Sequence, residues 1–80
     1  MPQRVIATAD LDHRVRVEVR LDEAERTVSW TVFRDDAPFL RWPQPGQDWR
    51  AYGDWSETQT AAVLLANALS CYATEASIGA

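Results

Sequence analysis

From Arg14 to Leu21 the chain alternates without a break. Val15, Val17, Val19 and Leu21 are apolar, and Arg14, Arg16, Glu18 and Arg20 occupy the positions before and between them. Only an extended strand, whose side chains point to opposite faces with a period of two, buries the first set while leaving the second in water. His13 to Leu21 therefore predicts a strand with one apolar face. From Arg26 to Arg34 the residues Thr27, Val28, Trp30, Thr31, Val32 and Phe33 dominate, the β-branched and aromatic types that suit a pleated surface. Asp22-Glu23-Ala24-Glu25 between the two runs supplies a polar turn, so 13–21 and 26–34 are expected to form a hairpin. Pairing Val19 with Val28, Val17 with Trp30 and Val15 with Val32 gathers the apolar side chains on one side. The opposite face then carries Arg14, Arg16, Glu18, Arg20, Thr27, Ser29, Thr31 and Phe33.

Weaker signals flank this hairpin. Arg4 to Ala9 is a strand candidate joined to it by Asp10-Leu11-Asp12, and Phe39 to Trp42 adds a short edge that Pro43 stops. Pro43-Gln44-Pro45-Gly46 marks a loop. Ser56 and Gln59 then form a capping box of the Ser-x-x-Gln kind. The helix expected from it runs over about 57–74, with Ala61, Leu65, Ala68, Leu69 and Tyr72 facing inward and Thr60, Asn67, Ser70 and Thr74 outward. Small side chains at Ala61, Ala62 and Ala68 let it lie close to Val17, Trp30 and Val32. The expected fold is α+β: an antiparallel sheet of two to four strands packed against one C-terminal helix, in a single domain spanning residues 1–80.

A chain of 80 residues and 9.0 kDa buries only about 60–65% of its unfolded surface, too little for a deep catalytic cavity as well as a core. Cys71 and His13 are the only residues of their kinds, which excludes an internal disulfide and a four-ligand Cys/His zinc site. No glycine-rich phosphate loop, dinucleotide fingerprint or calcium loop occurs, so neither cofactor nor metal is expected. No apolar run reaches the roughly 18 residues of a membrane span, nor does the N-terminus read as a leader, and a cytoplasmic protein of a bacterial host is expected. The net charge is −4, and all eight cations are arginine. Such a balance opposes sequence-independent nucleic-acid binding and favours a basic partner.

Catalysis has little to stand on. His13 lies beside Asp12, a pairing that could make a general base, but no second histidine or serine elbow accompanies it. Cys71 has no basic neighbour in the helix, and Asp35-Asp36 before Pro38 reads as a turn. A non-enzymatic protein is expected. Two features remain as binding candidates. The first is acidic: Asp22, Glu23 and Glu25 fall at one hairpin tip, Asp35 and Asp36 leave the far end of the second strand, and Asp48 and Asp54 follow. Such a surface could occupy an arginine- and lysine-lined groove in place of nucleic acid. The second is aromatic: Trp49, Tyr52 and Trp55 cluster after the Pro/Gly loop, where exposed rings would anchor a protein interface. The rival surface is the outer sheet face with Arg14, Arg16 and Arg20, a regulatory or nucleic-acid-associated module in the alternative reading.

Trp49, Tyr52-Gly53 and the run Gln59, Ala61, Leu64-Leu65-Ala66 resemble the C-terminal signature of a small uncharacterised domain found in bacterial, phage and plasmid proteins. Asp54, Trp55 and Ser56 stand where that family usually has glycines and a proline. Size, acidity and the scarcity of catalytic residues also make the chain similar to phage-encoded anti-CRISPR inhibitors, whose acidic members imitate DNA phosphate charge. That class resemblance implies a stoichiometric binder of a Cascade-type surveillance complex that blocks target DNA.

Overall fold

The structure is a computed structural model that describes residues 3–43 and 55–78. Four strands, β1 (Gln3–Asp12), β2 (Val15–Asp22), β3 (Thr27–Arg34) and β4 (Ala37–Trp42), form one antiparallel sheet in the order β1-β2-β3-β4, and α1 (Glu57–Ile78) follows. The α+β architecture is the one the alternating pattern and the capping box predict. The helix crosses a single face of the sheet, where Val15, Val17, Val19, Leu21, Val28, Trp30 and Val32 meet Leu64 and Ala68. Partly buried Ile6, Ala7, Ala9, Leu11, Leu40 and Trp42 extend this core onto both edge strands.

The central hairpin has a different register from the expected one. Val19 pairs with Trp30, Val17 with Val32 and Leu21 with Val28, two residues away from the pairing that the apolar pattern suggested. A shift of two leaves every side chain on its face, so burial cannot distinguish the registers. The turn does. Asp22 Oδ1 accepts hydrogen bonds from the backbone N–H groups of Ala24 (3.0 Å) and Glu25 (3.1 Å), and Arg26 adopts φ 56°. Asp22 thus closes the strand and pairs with Thr27, and Arg26 joins the loop instead of opening β3.

Both flanking strands are longer than expected. β1 runs on through Asp10-Leu11-Asp12, with pairing irregularities at Ile6 and Leu11, and a two-residue turn of His13 and Arg14 replaces the expected linker. Arg14 has φ 61° and lies in this turn, not on the outer face of β2. β4 begins at Ala37 and includes Pro38, which an edge strand tolerates because no further strand needs its missing donor. Asp35 and Asp36 make a two-residue connection with φ 52° and 65°, the left-handed pair that a tight hairpin of this twist requires.

Ser56 caps α1 as its spacing predicts: Ser56 Oγ accepts from the Gln59 N–H (3.0 Å), and Gln59 Oε1 accepts from the Ser56 N–H (2.9 Å). The helix continues past Thr74 to Ile78, and its buried stripe is rotated from the expected one. Thr60, Ala61, Leu64 and Ala68 are buried, whereas Leu69 is 51% exposed and Ala62 faces solvent. Thr60 is accommodated because its hydroxyl donates to the Ser56 carbonyl at 3.0 Å. Asn67 is not idle either: its Oδ1 accepts from the Trp30 indole N–H at 3.0 Å, giving the one polar atom of a buried tryptophan a partner. Burying Leu64 contributes about 1.5–3 kcal/mol, and Ala61 and Ala68 let the helix backbone approach the sheet.

Candidate functional site

An antiparallel meander places alternate turns at opposite ends. The β1–β2 turn and the β3–β4 turn therefore share one end of the sheet, where the Asp35 N–H donates to the Arg14 carbonyl at 3.0 Å. The β2–β3 loop lies at the other end, about 25 Å away at 3.3 Å per residue, together with the start of α1. The expected separation into two acidic poles follows directly from this topology.

At the paired-turn end, Asp10, Asp12, Asp35 and Asp36 line an open groove of about 670 Å³ with His13, Arg14 and Arg16. The Asp35 and Asp36 side chains are 59% and 89% exposed. Arg14 lies 3.5 Å from Asp35, and Arg16 donates to Asp36 at 2.7 Å. Four carboxylates face two guanidinium groups in the groove, and Arg34 lies next to Asp35 at its rim. Asp12 has further partners: its carboxylate accepts from the His13 backbone N–H (2.7 Å) and from the Tyr72 hydroxyl (3.3 Å). That second bond ties the late part of α1 to the turn. Asp10 and Asp12, expected in a linker, belong to β1 and line the groove. Their signal was the spacing of His13-Arg14 between two strands, since a tight hairpin there brings β1's last carboxylates beside Asp35 and Asp36.

The opposite end gathers Asp22, Glu23, Glu25 and Glu57 against Arg4 and Arg26, so it too has more carboxylates than guanidinium groups. Asp22 is largely buried and its carboxylate holds the turn, a structural role for a residue expected from the sequence to meet a partner. Glu23 and Glu57 share the Arg4 guanidinium, whose Nε donates to Glu23 at 3.1 Å and whose Nη1 and Nη2 donate to Glu57 at 2.8 Å. These bonds raise the Arg4 pKa still further and hold Glu57 below the ordinary carboxylate range. The groups are exposed, so the pairs add little stability, but they screen the charge a partner would meet. Glu25 is exposed at this tip. Trp55 is half-buried just before the cap, while Asp48, Trp49, Tyr52 and Asp54 lie outside the described residues.

The arginine face is also internally neutralised. Glu18, 15% exposed, receives a hydrogen bond from Arg20 (2.7 Å) and lies 3.6 Å from Arg16. The Arg20 bond, with the nearby positive charge of both arginines, depresses the Glu18 pKa. Arg16 also stacks over the Phe33 ring with its guanidinium carbon 4.5 Å from the centroid. His13 sits in a turn with its backbone N–H, not its ring, on Asp12. Among the described residues no three His, Cys, Asp or Glu side chains gather so as to hold a metal ion, and no helix is long and apolar enough to cross a membrane. Comparison with protein-family models, with curated proteins and with solved structures gave no match for this chain.

Proposed function

We propose that the protein is a non-catalytic binder whose paired-turn end engages a cationic groove that otherwise holds nucleic acid. One observation carries this reading: Asp10, Asp12, Asp35 and Asp36, from two separate turns, converge around one open groove. Carboxylates there present clustered negative charge on a small rigid scaffold, which steers association with a positive surface. A CRISPR surveillance complex is the partner that the class resemblance implies, and blocking of target DNA is the corresponding activity. The arginine-face alternative is less well supported, because Glu18 lies between Arg16 and Arg20 and Arg14 belongs to the β1–β2 turn, off the outer face.

The test is competition between this protein and target DNA for a purified surveillance complex, with the wild-type chain and an Asp35→Asn/Asp36→Asn double variant. Asparagine tolerates the left-handed backbone of that turn, so the fold persists while two charges disappear. The expected result is displacement of DNA by the wild type and an association rate at least about tenfold lower for the variant at low salt. Equal potency of the two proteins, or no competition by either, would reject the proposal. Retardation of free DNA by the wild-type chain would instead support the arginine face.

A further inference from the structure

His13 is the single histidine of the chain, and the fold sets it among the clustered carboxylates. It is exposed in the β1–β2 turn, where the acidic groove meets a second open cleft bounded by Arg34 and Tyr72, and it lines both. The charged and titratable groups around it come from every neighbouring element. Asp10 and Asp12 belong to β1, Arg14 to the same turn and Arg16 to β2; Arg34 ends β3, Asp35 and Asp36 form the next turn, and Tyr72 comes from α1. Among these side-chain types only an imidazole ordinarily changes charge between about pH 5 and 8. Given the reading of this end as the surface that meets a cationic groove, on which the inference rests, we propose that His13 makes that engagement pH-dependent: the neutral imidazole permits docking and the protonated one opposes it.

The sign follows from what docking adds. Asp10, Asp12, Asp35, Asp36 and the three arginines surround His13 in the free chain and in the complex alike, so their influence on the ring is common to both states. A partner contributes positive charge and displaces water, and both disfavour a positively charged ring. The complex therefore holds the proton less well than the free chain, and by linkage affinity falls as pH drops through the imidazole range. One excluded proton weakens binding by at most about tenfold for each pH unit below the titration of the free ring. Aspartates ordinarily titrate near about pH 3.9 and stay ionised through this window.

The test compares wild type, His13→Gln and His13→Lys against a fluorescent oligoarginine peptide blocked at both ends, which has no group titrating between about pH 5 and 8. Affinities are measured by anisotropy at low salt. Wild type is expected to bind about threefold to tenfold more weakly at about pH 5.5 than at about pH 7.5. His13→Gln is expected to bind equally at both, and His13→Lys weakly at both, like the protonated wild type. A second readout needs no variant: one histidine gives one set of imidazole signals in nuclear magnetic resonance, and its titration midpoint is expected to fall by at least about half a pH unit with the peptide bound. Equal wild-type affinity at the two pH values, a His13→Gln chain as pH-sensitive as wild type, or an unmoved ring titration would each overturn the proposal while leaving the paired-turn reading in place. That reading itself fails, and the proposal with it, if wild type does not bind the peptide or if Asp35→Asn/Asp36→Asn binds it as tightly as wild type.

Discussion

At the scale of single residues, two carboxylates hold the sheet's turn and its outer face. Asp22 accepts two backbone N–H groups and thereby chooses between registers that burial alone leaves equal. Asp22→Ala is expected to lower stability by roughly 1–2 kcal/mol, because two donors lose their partner, with Asp22→Asn retaining most of it; urea denaturation followed by circular dichroism measures both. Glu18 holds the arginines of the outer face. Its pKa is depressed in the folded state by Arg20, so its stabilisation is present above the ordinary value of 4.5 and is lost as pH falls through the lower folded value. Glu18→Gln should therefore flatten the acid limb of the stability curve below pH 4.5, relative to wild type. An unchanged acid limb would mean that the ion pair contributes nothing to folding.

Turns and the helix are the elements whose details most repay testing. Asp36 holds φ 65°, a conformation open to aspartate and glycine but strained for a β-branched side chain. Asp36→Gly is expected to leave stability unchanged or slightly higher, and Asp36→Val to reduce it by about 1–2 kcal/mol, as read from thermal and urea midpoints. In α1 the contrast lies between Leu69, which the expected inward stripe includes, and Leu64, which it leaves out. Leu64 is 2% exposed and Leu69 is 51% exposed, so Leu64→Ala should cost about 2–5 kcal/mol. Leu69→Ala should cost no more than about 0.5 kcal/mol in the same measurement. Apolar residues occur almost all the way round this helix, with Val63, Leu64, Leu65 and Leu69 on several sides. The pattern therefore announced a helix without fixing its rotation.

For the whole molecule, a net charge of −4 matters less than where it resides. Carboxylates outnumber guanidinium groups at both ends of the sheet; at one end Arg4 holds Glu23 and Glu57, and at the other the carboxylates of two turns line one groove. Raising salt should slow association with a cationic partner while changing dissociation little, a split that stopped-flow measurements resolve. The strands of the central hairpin, the helix with its Ser56–Gln59 box and the turn at Asp35-Asp36 were legible in the chain, because each depends on residues within a few positions of one another. Alternation, capping and left-handed turn preference are local forces. The grouping of Asp10 and Asp12 with Asp35 and Asp36, the burial of Thr60 and the bond from Trp30 to Asn67 were not legible. Those depend on which turns an antiparallel sheet brings side by side and on how the helix rotates over Trp30, and both are decided only when distant segments pack together.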